Sequence, residues 1–246
     1  MKYMMLMYGA EGSWTPEERQ ECMTQSLNMC DELAAQKKLL AVSPLEPVAT
    51  AATVRNRGGK APITDGPFAE TTEQLGGFFL LELADLDEAI AIAGKLPPAT
   101  MGTAEIRPVA TLEGLPNARP IPLGTSDSGL APYILLGYAN PDGSKECGPE
   151  GQHKALELAR RLDAAGRYLN AAPLHPISTA TSVRVRGGKR HITDGPFAET
   201  HEVLGGFFLI LAESLEAATR DAAEFPASER GCVEVRKLFD LANVRN

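Results

Sequence analysis

The chain predicts an α+β protein made of two βαββαβ modules, both descended from one duplicated sequence and packed sheet against sheet. Three observations carry this. The signature ITDGPFAET followed by LGGFF occurs twice at a fixed offset, with Asp65 falling on Asp194 (194 − 65 = 129). Each copy alternates strand-type and helix-type hydrophobic periods in the same order. One strand per copy, Gly76–Leu83 and Gly205–Ala212, is apolar on both of its faces. Helices can cover only one of those faces, so the other calls for a second sheet, which the duplicate supplies.

The elements follow in order. Lys2–Tyr8 reads as a buried first strand, and Thr15-Pro16-Glu17-Glu18 opens a helix with an N-cap Thr, a Pro at the first helical position and a capping-box Glu. That helix runs to about Lys38, and a short apolar run follows at Leu39–Leu45. A hairpin comes next, with Val54–Arg57 and Lys60–Ile63 flanking Gly58-Gly59, a two-residue loop that requires positive φ; Gly187-Gly188 repeats it. After the doubly apolar strand, Asp85 and Ser214 start a second helix, and Ala104–Val109 and Val233–Leu238 alternate as a last strand. These βαββαβ units are ferredoxin-like, and their pairing makes an intrachain pseudo-dimer.

The copies align without a gap from Pro44/Pro173 to Leu112/Leu241, giving modules at 1–112 and 132–246 joined by a Pro/Gly/Ser-rich linker at 113–131. Between 53–83 and 182–212, 22 of 31 positions are identical, against 8 of 29 between 84–112 and 213–241. A hydrophobic pattern alone can preserve a fold, so the strict stretch marks demanding backbone geometry or side chains with a task.

With 43% hydrophobic and 23% charged residues the chain has enough apolar surface for a core in each module. Its net charge of −8 repels nucleic acid and anionic membrane surfaces. Cys22, Cys30, Cys147 and Cys232 form no CxxC pair, which favours reduced thiols over disulfides or zinc and, with no apolar run of membrane length, a cytoplasmic protein. No Rossmann or Walker pattern occurs, so neither metal nor cofactor is expected.

The TVRxRGGK-type run, ITDGPFAET, LGGFF and the later xExR strand closely resemble the YCII-related family of the dimeric α+β barrel superfamily, in its DGPF-type branch. The resemblance spans nearly the whole chain, twice. It implies the ferredoxin-like fold and a cleft between paired sheets, but no particular reaction. Members often lie beside genes for extracytoplasmic-function sigma factors, which points to a regulatory setting.

The DGPF segments have the make-up of a tight turn, Asp bonding nearby backbone while Gly and Pro fix the path. The functional alternative places Asp65 and Asp194 at the cleft mouth as general bases, with Glu70 and Glu199 as second carboxylates. On the hairpins Arg57 faces Lys60 and Arg55 faces Pro62, while Arg186 faces Lys189 and Arg184 faces His191. Such a strip of cations needs anions, either the protein's own Asp65, Glu70, Asp194 and Glu199 or a bound carboxylate or phenolate.

All four histidines lie in the second copy, so the two halves are unequal. His191, beside two arginines, is the candidate base, whereas His153 is expected to face solvent. Glu105 with Arg107, and Glu234 with Arg236, share the polar face of the last strand, where they either line the cleft or form exposed ion pairs. The leading expectation is an inter-sheet cleft that binds a small organic anion, with cofactor-free acid–base chemistry at Asp65 and Asp194. The alternative is a non-catalytic regulatory or interaction module linked to sigma-factor signalling. Further homo-oligomerisation is open.

Overall fold

The structure, a computed structural model, describes residues 1–68, 72–122, 129–140, 148–198 and 200–241. The first module runs β1 (Lys2–Gly9), α1 (Pro16–Ala35), β2 (Leu39–Pro44), β3 (Ala52–Val54), β4 (Ile63–Asp65), β5 (Gln74–Glu82), α2 (Leu86–Ala93) and β6 (Thr103–Pro108). The second repeats this as β7 (Ala131–Ala139), α3 (Pro149–Ala164), β8 (Tyr168–Pro173), β9 (Thr181–Arg186), β10 (Lys189–Asp194), β11 (Val203–Ala212), α4 (Leu215–Glu224), a one-turn α5 (Ala227–Arg230) and β12 (Gly231–Lys237).

The helix starts are set by local chemistry. Thr15 and Glu18 close a full capping box on α1, with the Thr15 hydroxyl accepting the Glu18 N–H and the Glu18 carboxylate accepting the Thr15 N–H. Asp85 caps α2 and Ser214 caps α4 with the side chain alone, accepting the N–H of Glu88 and of Ala217. Among the described residues no helix is long and apolar enough to cross a membrane.

The two six-stranded antiparallel sheets have the orders β10-β9-β6-β1-β5-β2 and β4-β3-β12-β7-β11-β8. Each module therefore contributes four strands to its own sheet and lends its hairpin to the other. Val54 of β3 sits opposite Val233 of β12, and Val183 of β9 opposite Ala104 of β6, the same register at the 129-residue offset. Backbone hydrogen bonds thus tie the modules together in both directions. The second hairpin is regular, with Arg186 opposite Lys189 and Arg184 opposite His191. In the first, the ladder is confined to Ala52–Val54 with Ile63–Asp65, plus an isolated Arg57–Lys60 bridge. Pro62 occupies the place of His191 and has no N–H to give to the ladder.

Three apolar layers result. Phe79, Leu81 and Leu83 of the first module pack with Met5, Ile92 and Ile106 beneath its helices, and Phe208, Ile210, Val233 and Val235 do so in the second. Phe78 and Leu80 point the other way, meeting Ile134, Leu136, Phe207 and Leu209 between the sheets. The doubly apolar strands lie one in from the β2 and β8 edges, with both of their faces buried, as their sequence requires.

Candidate functional site

The two DGPF segments close on the opposite module. Gly66 and Gly195 hold φ of 95° and 107°, a left-handed conformation that favours glycine, and their N–H groups donate to Ala51 and Ala180 carbonyls at 2.8 Å. The turn then aims Phe68 at the second module, where its ring stacks on Tyr138 at 3.8 Å between centroids and its N–H donates to Glu234 Oε2 at 3.1 Å. Phe197 reciprocates, stacking on Tyr8 at 4.2 Å and donating to Glu105 Oε2 at 2.9 Å.

The same two glutamates hold the arginines of the last strands. Arg107 donates to Glu105 at 3.3 Å and to the His175 carbonyl at 3.0 Å; Arg236 donates to Glu234 at 3.2 Å and to the Leu75 and Glu46 carbonyls. All four side chains are buried between the sheets rather than exposed. Both Arg Nε atoms are buried with no hydrogen-bond partner among the described residues. Burial, then the carboxylate beside each, pushes the Tyr8 and Tyr138 phenols well above their usual range, which keeps them neutral.

The hairpin arginines find their partners across the module boundary as well. Arg55 makes a two-pronged contact to Glu202 at 2.8 and 2.9 Å, and Arg184 lies 3.6 Å from Glu73, the equivalent residue at the 129 offset. Arg57 and Arg186 instead donate to turn carbonyls, those of Ser228, Glu229 and Gly231 for the first and of Ala99 to Gly102 for the second. Burial alone would raise the Glu202 carboxyl, yet hydrogen bonds from Arg55 and Cys232 leave it below the usual carboxylate range. The Cys232 thiol is pushed far up by burial and by Glu202, so it is an inert donor.

Asp65, Asp194 and His191 are exposed on β4 and β10, the edge strands of the two sheets. Glu70 and Glu199 lie outside the described residues. Beside the DGPF clasps lies a cavity of about 50 Å³ lined by Tyr8, Phe68, Glu105, Arg107, Tyr138, Phe197 and Glu234. His153 faces solvent as expected, 3.3 Å from Glu157 one turn along α3.

A far larger cavity, about 420 Å³, lies where α1 stands away from β1, β2 and β5 in the first module. Its wall is apolar and sulfur-rich, with Met7, Cys22, Met23, Leu27, Cys30, Val42 and Phe79, and Trp14, Glu11 and Arg19 stand toward the start of α1. Glu11 accepts the Val48 N–H at 2.7 Å. The Arg19 guanidinium lies 5.8 Å from the Phe239 ring and has no ion-pair partner among the described residues. Leu241 completes the lining, so the second module helps to build a cavity in the first.

The second module differs in the equivalent place. Gly151, Ala155 and Ala159 of α3 are buried where α1 carries Cys22, Ser26 and Cys30. Leu112, the last residue of the first module, and Leu115 of the linker pack against the same core. Sequence reasoning missed this difference, along with Glu73, Glu202, Tyr8 and Tyr138. The last four were recoverable, since each recurs as the same residue type at the same place in both copies.

Comparison with known proteins bears on the two halves alike. The YCII-related domain matches residues 1–113 and again residues 131–242. The chain belongs to the YCII-related family. An uncharacterized protein of Rhizobium meliloti (strain 1021) is 39% identical over 115 residues, which span 45% of this YCII-related chain and 93% of the relative. That alignment is the length of one module. A crystal structure provisionally assigned as a chlorite dismutase aligns over 99% of this chain and 96% of its own, with a TM-score of 0.44 and 12% identity. A likeness at that level bears on neither activity nor substrate.

Proposed function

We propose that this YCII-related protein binds a small organic anion, and that the anion sits in the cavity under α1. What supports this is one juxtaposition: an apolar chamber of about 420 Å³ with a cation, Arg19, that has no ion-pair partner among the described residues. Concave apolar sites with few polar groups are the usual form of small-molecule pockets. The cleft at the DGPF turns has room for a few waters only, and its arginines already face carboxylates. In this reading the turns are clasps that hold the modules in register, and acid–base chemistry at Asp65, Asp194 or His191 is not needed for binding.

A second reading, a non-catalytic regulatory or interaction module of the kind the sigma-factor setting suggests, is favoured by the side-chain-filled interface between the sheets. A thermal-shift screen with small carboxylates and phenols separates them. Wild type and the Asp65→Asn/Asp194→Asn double variant should both be stabilised, by about 2.7 kcal/mol when ligand is a hundredfold above Kd. Arg19→Gln should lose that response. Loss in the double variant with retention in Arg19→Gln would put the anion at the DGPF turns, and no response in any protein would favour the regulatory reading.

A further inference from the structure

The two copies carry the same phenylalanine at the floor of the helix–sheet groove, and only one of them has a ring to meet it. In the second module Phe208 receives Phe225 edge-on, with centroids 4.9 Å apart and planes at 67°. Phe225 lies where residue 137 is glycine; a Cβ there would come within 2.7 Å of its ring. In the first module Met7 replaces Gly137 and Leu96 replaces Phe225, each at the matching place in the repeat. Phe79, the counterpart of Phe208, lines the cavity and has no ring partner among the described residues.

With Phe79 the cavity lining includes four sulfur-bearing residues, Met7, Cys22, Met23 and Cys30, together with Trp14, the chain's single tryptophan. Thioethers and thiols make favourable contacts with aromatic rings, and rings prefer edge-to-face or offset partners over aliphatic ones. Burial pushes the Cys22 thiol up, so this wall is neutral as well as polarisable.

We infer that the ligand of the α1 cavity is an aromatic carboxylate, its ring set against Phe79 and the sulfur wall and its carboxylate turned to Arg19, with one such site per chain. This rests on the binding reading above and narrows it. The single stoichiometry follows from Phe225 of the second module, whose ring already covers Phe208, the counterpart of Phe79. The second module supplies in its own sequence what the first must take from solution.

The test is a calorimetric titration of the intact chain with biphenyl-4-carboxylate and with its ring-saturated counterpart, 4-cyclohexylcyclohexanecarboxylate, while Trp14 fluorescence and Cys22 alkylation report occupancy. The aromatic acid should bind about tenfold more tightly, at one per chain, and protect Cys22. Phe79→Leu should reduce that preference to less than about threefold. Equal affinity of the two acids for wild type overturns the aromatic assignment and leaves the cavity as the site. Failure of both acids to bind or to protect Cys22 overturns the binding reading itself. The comparison of acids on wild type needs no variant to fold.

Discussion

Arg55 and Glu202 show how a duplicated residue pair can diverge in strength. The guanidinium of Arg55 meets both oxygens of Glu202, while Arg184 approaches Glu73 by one nitrogen at 3.6 Å. Both pairs are partly solvated, with 38% and 21% of the Arg55 and Glu202 side chains exposed, so the gain is modest. A double-mutant cycle with Arg55→Ala and Glu202→Ala should return about 1 kcal/mol of coupling by denaturant unfolding, against about 0.3 for Arg184 and Glu73. Glu202 has a folded-state pKa depressed below its ordinary 4.5, so its contribution is complete above that value and is lost as pH falls through the lowered one. Glu202→Gln should therefore flatten the acid limb of stability below about pH 4.5, and an unchanged limb would show the contact to be incidental. The faces of Glu105, Arg107, Glu234 and Arg236 were legible in the sequence because strand alternation fixes them locally. The partners of Arg55 were not, because the lent hairpin brings together residues 147 apart and no local period encodes that.

Among the elements, strands β5 and β11 illustrate what identity between the copies means. Each carries a glycine pair in its first half, and the two glycines of a pair are not equivalent. A Cβ on Gly77 would lie 3.0 Å from the Ser43 carbonyl oxygen, and one on Gly206 would lie 2.9 Å from that of Ala172, both backbone atoms of the neighbouring strand. Gly76 and Gly205, at the bulges opposite β1 and β7, leave 3.7 and 3.9 Å. Alanine at Gly77 or Gly206 should cost about 1–3 kcal/mol by forcing the strands apart, while alanine at Gly76 or Gly205 should stay within about 0.5 kcal/mol. Chemical denaturation of the four variants decides it, and equal losses at all four would mean that the close approach is not what fixes the pair. The elements themselves were readable from caps and periods. The height of α1 above its sheet was not, because it depends on how Cys22, Ser26 and Cys30 meet β1, β2 and β5, and a helical period records only which residues face inward.

At the scale of the whole molecule, the exchange of hairpins explains why one chain needs both copies. Without β12, the first module's β3 and β4 have no sheet to join, and without β9 its β6 becomes an open edge. The two exchanges share one register at the 129-residue offset, so a second first module can offer β6 where β12 stood and β3 where β9 stood. Residues 1–122 produced alone should accordingly form a symmetric homodimer, with light scattering after gel filtration giving twice the chain mass. A folded monomer would show that the lent hairpin is dispensable. Such a dimer would present the α1 cavity in both halves, since Phe225 and α3 belong to the second module, while Leu112, the counterpart of Leu241 at the 129-residue offset, is retained. The count of aromatic acid bound should then rise from one per intact chain to two per dimer. Adding residues 129–241 in trans should rebuild the unequal pair and restore a single site, because β9 and β10 would displace the borrowed β3 and β4 from β6 while carrying Leu241 back to the cavity.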